Sequence, residues 1–196
     1  MTDIIGLLVA GITAFVASNI DDTFVLIVLF LTPNLLPHHV ITGQFVGIAL
    51  LVLISSLASL LALAIPVFAI GLMGLIPIII GIKKLSDLNE APETKEQIIK
   101  KVSTSILSVA AITISNGGDD IGAFTPLFAK YNTVNEVSIT VILFMIMTII
   151  WCVVTYYFIR NPIIASHVSP ISRIISPFAL IGLGIYIIFD SFVFSF

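Results

Sequence analysis

Two short runs hold the polar groups best suited to chemistry in the apolar part of this chain. Residues 17–26 read ASNIDDTFVL and residues 114–124 read ISNGGDDIGAF, so Ser18-Asn19 precedes Asp21-Asp22 and Ser115-Asn116 precedes Asp119-Asp120. Each run offers a hydroxyl, an amide oxygen and carboxylates. An all-oxygen set of this kind suits divalent ions such as Mg²⁺, Ca²⁺ or Mn²⁺ and accommodates Zn²⁺ or Cd²⁺. On a helix, Asn19 and Asp22 lie three residues apart and Ser18 and Asp22 four apart, while Asn116 relates to Asp119 and Asp120 in the same two ways. Residues so spaced share one helix face. Adjacent aspartates diverge by about 100° on a regular helix, so both members of a pair reach one site only where the helix unwinds. Gly117-Gly118, which stands where the first run has Ile20 alone, supplies such a place. Backbone carbonyls freed there can join as ligands.

The surroundings of these runs turn the carboxylates into a problem. Of 196 residues, 59% are hydrophobic and only 10% charged, and the mean hydropathy is +1.21. A chain of this composition is solvated by lipid rather than water. An ionised aspartate at mid-membrane costs at least about 2.5 to 3.5 kcal/mol, and neighbouring carboxylates repel. The aspartates must therefore face the bundle interior. No lysine or arginine falls inside an expected span, so the counter-charge is expected from outside the protein. The expected metal ligands are Asn19, Asp21, Asp22, Asn116, Asp119 and Asp120, with Ser18, Ser115 and Gln44 as secondary candidates. Neutralising Asp22 or Asp119 should relieve repulsion and stabilise the empty protein. Protons are the expected counter-ion: carboxylates cannot all stay ionised in an empty site of low dielectric. A divalent ion would displace protons on binding, which is metal/proton antiport; the competing mechanism is a channel-like uniporter.

A membrane span needs about 20 apolar residues. The expected spans run from about Ile4 to Leu31, Val40 to Ala64, Pro66 to Ile82, Val102 to Phe128, Val137 to Ile159 and Ile174 to Phe194. The fold class is thus an all-α membrane protein of six transmembrane helices. The acidic runs fall in the first and fourth spans, which divides the chain into a three-helix repeat over 1–82, a cytoplasmic loop over 83–101 and a second three-helix repeat over 102–196. Three is odd, so the halves enter the membrane from opposite sides, an inverted repeat of the kind that places transporter sites near the midplane. IGIKKL at 80–85 and LGIYII at 183–188 form a weaker second echo. Lys83, Lys84, Lys95, Lys100, Lys101, Arg160 and Arg173 fall on one side in this scheme, and Lys130 alone on the other. That bias places the long loop in the cytoplasm and both termini outside, with Tyr156 and Tyr157 as a cytoplasmic interfacial belt. The N-terminus lacks the basic start of a cleaved signal peptide and reads as a retained helix.

Several other residues read as structural. Gly43-x-x-x-Gly47 lets two helices approach closely, and Gln44 beside it favours a hydrogen bond across helices. Met73, Met145 and Met147 read as apolar filler, and His38-His39 as a solvated turn. Asp190 and Glu136 lie near span ends, where hydration suffices. Cys152 is the lone cysteine, which rules out an internal disulfide or a thiolate cluster within one chain. No nucleophile–base pair, phosphate loop or nucleotide signature is present, so the chain does not read as an enzyme, and its loops are too short for an ATPase domain. Resident cofactors and nucleic acid are not expected; the lipid bilayer and a homo-oligomer are compatible.

The twin Asn-x(1–2)-Asp-Asp motifs, in six spans of about 200 residues, resemble the bacterial cadmium resistance transporter family, within the lysine-exporter superfamily. The resemblance covers nearly the whole chain. It implies export of Cd²⁺ and related divalent cations across the bacterial plasma membrane, with Asn19, Asp21, Asp22, Asn116, Asp119 and Asp120 as the motif positions. An oxygen site holds soft Cd²⁺ less firmly than thiolate would, which suits an ion that must be released. Two alternatives stay open: an exporter of a cationic amino acid or other organic cation, as the superfamily allows, and a membrane subunit whose carboxylates serve assembly.

Overall fold

The computed structural model of the protein describes residues 4–20, 22–33, 35–62, 72–89, 105–159 and 162–193. Eight α-helices are described: α1 Ile4–Asn19, α2 Thr23–Phe30, α3 Pro37–Ala62, α4 Leu75–Ser86, α5 Ile106–Asn116, α6 Gly118–Lys130, α7 Val134–Phe158 and α8 Pro162–Val193. A 3₁₀ turn over Asp87–Asn89 follows α4, and no strand occurs among the described residues.

Local sequence explains the helix starts. Pro37 and Pro162 open α3 and α8, where a missing N–H costs nothing because first-turn donors have no helical partner. The Ser105 hydroxyl accepts from the Ser108 backbone N–H to cap α5. Thr133 and Glu136 form a reciprocal capping box on α7, satisfying two orphan donors. Glu136, expected only to be hydrated, thus has a definite structural task.

Among the described residues, Pro37–Leu60 and Val134–Phe158 are each long and apolar enough to cross a membrane, and α1 with α2, bent by 60° at their break, make a third such unit. The α7 face bearing Ile142, Ile146, Ile149, Ile150 and Val153 is exposed and wholly apolar, as a lipid-facing surface must be. The fourth expected span is not a simple rod: α5 has 11 residues and α6 restarts just after Gly117. Helix α8 runs unbroken over 32 residues, and the expected hairpin at Pro66 lies outside the described residues. Two expected loops also begin as helix. Helix α4 continues through Ser86, so Lys83 and Lys84 form its last turn, and α8 already runs from Pro162. Nothing in GIKKLS breaks a helix, and polarity alone does not end one.

Glycines set the closest helix approaches. A Cβ at Gly43 would meet the Ile106 carbonyl oxygen at 2.8 Å, and one at Gly47 would meet Thr113 Cβ at 2.6 Å. The Gly-x-x-x-Gly face of α3 is therefore packed on α5. The Thr113 hydroxyl donates to Gln44 Oε1 at 2.6 Å, so Gln44 ties α3 to α5. The α4–α8 contact is reciprocal: a Cβ at Gly81 would meet the Pro177 carbonyl oxygen of α8 at 2.7 Å, and one at Gly184 would strike the Gly74 carbonyl oxygen just before α4. These are the two glycines of the IGIKKL and LGIYII echo. The main core lies among α1, α3, α6, α7 and α8, where the Phe144 ring packs at a tilt against Phe15 at 5.7 Å and Phe124 at 4.4 Å.

Candidate functional site

Both acidic motifs fall at helix breaks. In the first, α1 ends at Asn19 and Asp22 is the N-cap residue of α2, with helical dihedrals and no capping hydrogen bond from its side chain. The Ser18 hydroxyl donates to the Ala14 carbonyl at 3.0 Å, one turn back along its own helix. The Asn19 amide donates to the Phe15 carbonyl at 3.1 Å and reaches across to Asp120 Oδ1 at 2.8 Å. Asp21 lies outside the described residues.

In the second motif, Gly117 both closes α5 and caps α6. An added Cβ there would strike the Leu51 methyls of α3, whereas one at Gly118 would meet nothing within 4 Å. Gly117 is needed for close approach; Gly118 is not. The helix restarts at once, so Asp119 and Asp120 occupy the first turn of α6, where the positive end of the helix dipole favours their charge. On regular helix the two carboxylates diverge. Asp120, fully buried, turns to Asn19. Asp119 turns the other way. Ser115 is exposed and donates to the Ile112 carbonyl at 2.8 Å, so it does not join the motif's other polar groups.

Asp119, Asn116 and Asp22 share the lining of a cavity of about 390 Å³. The remainder of its wall comes chiefly from the end of α4, through Ile80, Lys84 and Asp87, with exposed Lys83 at the rim. Here the structure corrects the sequence reading. Lys84 Nζ lies 2.6 Å from Asp119 Oδ2, with the lysine side chain 24% and the aspartate 7% exposed. The counter-charge at Asp119 is internal. Lys84 Nζ is also 3.4 Å from Ser176 Oγ, and that hydroxyl donates to the Ala17 carbonyl at 3.0 Å, linking α4, α8 and α1. Sequence reasoning missed Lys84 and Ser176. The available signal was Ile80 and Lys84 at i and i+4, which continues the helix face one turn past the apolar run.

Beyond the motifs, away from Lys84 and Asp87, aromatic side chains pack together in the interior. Phe15 precedes Asn19 by one turn, Phe124 follows Asp120 by one turn, and both are fully buried with Phe128 and Phe144. Cys152 is buried on α7 among the apolar neighbours of α2, α3 and α5. His38 and His39 meet edge to face at 4.2 Å in the first turn of α3. Among the described residues no group of three or more His, Cys, Asp or Glu side chains is arranged to hold a metal ion.

Apolar helices with a lipid-compatible outer face around a polar, charged interior define a helical membrane protein. The family described as Cadmium resistance transporter matches residues 15–196, and the chain belongs to that family. No curated protein and no solved structure gives a significant match.

Proposed function

We propose that the protein exports divalent metal cations of the Cd²⁺ kind from the bacterial cytoplasm through the cavity between its two acidic motifs, in exchange for protons. The observation that carries this reading is convergence. Motifs 101 residues apart meet directly at Asn19 and Asp120, and Asp22 and Asp119 line one cavity. Asp22, Asp119 and Asn116 are the motif groups that line this cavity, and Asp21 completes the motif set. Asp120 and Asn19 lock the two breaks together, and Ser18, Ser115 and Gln44 serve local packing.

The matched helix breaks and the reciprocal Gly81 and Gly184 contacts support an inverted repeat, and the lysine-rich rim supports a cytoplasmic opening with both termini outside. In that frame the cavity faces the cytoplasm, and the phenylalanines at 15, 124, 128 and 144 seal the outer half. Transport requires that seal to open while the inner side closes. Proton exchange follows from charge: a divalent ion leaves behind carboxylates that a low-dielectric interior tolerates poorly, and the inward proton gradient of a bacterium would drive the cycle. Protons and metal then compete for the same oxygens, so metal affinity falls as pH falls.

Metal flux in proteoliposomes, with an imposed pH gradient and the membrane potential clamped at zero, tests this. Cd²⁺ flux should follow the pH gradient, and binding should release protons. Flux indifferent to the gradient would instead support a uniporter. One feature of the site favours the organic-cation alternative: Asp119 and Ser176 already hold an alkylammonium, that of Lys84. Cationic amino acids therefore belong beside the metal panel, and transport of these without metal transport would reverse the assignment.

A further inference from the structure

The geometry points to Lys84 as a tethered competitor that occupies Asp119 whenever the cavity is without its divalent cargo, and that thereby excludes monovalent cations from the site. This rests on reading the cavity as a divalent-cation site. The ammonium sits 2.6 Å from Asp119 Oδ2, on the same carboxylate that faces the cavity, so an ion cannot engage that oxygen without moving it. Ser176 holds the ammonium from a second side at 3.4 Å. A route for displacement exists: Lys84 is part-exposed toward the cavity, and Asp87, three residues further on, lines the same space. Residues three apart on a helix are neighbours, which makes Asp87 a second carboxylate for the same ammonium.

The consequence is selectivity by charge. A tethered group competes at an effective concentration of about millimolar or more. Na⁺ or K⁺ offers Asp119 only the single charge that Lys84 already supplies. A divalent ion brings twice the Coulomb attraction per carboxylate and can engage Asp22 as well, so it alone displaces the lysine. When the ion leaves, Lys84 returns and neutralises Asp119, and the empty site carries one uncompensated charge fewer.

Cd²⁺ titration of the detergent-solubilised full chain tests this, using wild type, Lys84→Arg and Lys84→Gln in Na⁺-free and Na⁺-containing buffer. Without the competitor, Lys84→Gln should bind Cd²⁺ about tenfold more tightly in Na⁺-free buffer, given a tether of this strength, and should lose that gain when Na⁺ is added. Wild type and Lys84→Arg should show little Na⁺ dependence. An unchanged or weaker affinity in Lys84→Gln, without Na⁺ sensitivity, overturns the inference while leaving metal export standing. Absence of Cd²⁺ binding in both proteins overturns both readings. Should Lys84→Gln fail to fold, wild type still decides. Acylation of Lys84 by a small amine-reactive reagent, followed by peptide mass spectrometry, should accelerate several-fold on adding Cd²⁺, and a rate unchanged or lowered by the metal excludes displacement.

Discussion

The two Ser-Asn-Asp-Asp motifs share a composition and differ in structure. In the first, the helix stops at Asn19 and restarts at Thr23, so Asp22 stands in the break itself. In the second, the extra glycine lets the helix stop at Asn116 and restart at Gly118, so the aspartates sit on regular helix. One residue changes what the carboxylates can do. Asp22 lines the cavity from a helix break, whereas Asp119 and Asp120 are sent to opposite partners by helical rotation. A second asymmetry overlies the first. In the IGIKKL and LGIYII echo, Lys84 stands where the other half has Ile187, and Ile187 is fully buried. The two echo segments thus share a closely packed glycine, and only the first carries a lysine at this position.

The sharpest way to break this comparison is to neutralise the carboxylates one at a time. Asp119→Asn should lower Cd²⁺ affinity and flux at least about a hundredfold, beyond the 10- to 100-fold typical of groups that only support a metal ligand. Asp22→Asn should also abolish Cd²⁺-dependent thermal stabilisation. In the metal-free protein Asp119 has a defined partner to lose. Asp119→Asn removes the partner of Lys84 and should cost about 1 to 2 kcal/mol, part of the penalty for breaking a buried pair because the lysine is part-exposed. This reverses for Asp119 the stabilisation expected from charge repulsion alone, and melting temperatures without metal read it directly.

Next in size is the contact joining the motifs. Asn19→Leu removes a hydrogen bond to a buried carboxylate and should cost about 1.5 to 3 kcal/mol, seen as a lower melting temperature with and without Cd²⁺. Asp120→Asn keeps an oxygen facing Asn19 and should retain more of that stability than Asn19→Leu does. If both substitutions leave melting unchanged, the motifs are not coupled through this bond.

The glycine pair allows a finer test of what the extra residue does. Gly117→Ala must displace Leu51 and should cost about 1 to 3 kcal/mol by overpacking. Gly118→Ala enters open space and should be neutral or stabilise by about 0.4 to 1 kcal/mol through the unfolded chain. Equal effects in a thermal melt would remove the distinction between close approach and flexibility. The smallest effect belongs to Cys152→Ser, which should keep most Cd²⁺ flux because Cys152 lies on α7 away from the cavity lining. A Cys152→Ser protein without transport, beside active aspartate variants, would move the site.

Much of this was readable in the residues. Composition demanded lipid-solvated helices, because so little charge cannot solvate a surface in water. Paired aspartates in apolar runs demanded an interior destination, because hydrocarbon penalises them. Gly43, Gly47 and Gln44 announced a helix contact by size and spacing. Helical rotation even warned that adjacent aspartates diverge unless the chain unwinds. What the residues could not state is which partner lies across each gap. Periodicity fixes a side chain's direction around its own axis, while the facing helix is set by packing between segments far apart in sequence. Hence Asn19 meeting Asp120 was not legible, nor was the cavity that Asp22 and Asp119 share with the end of α4. Lys84 shows the limit most clearly. Its charge at the end of an apolar run looked like the start of a solvated loop. Only the docking of α4 beside α6 and α8 brings its long, flexible stem back to Asp119, because reach between helices is a property of tertiary distance and not of sequence.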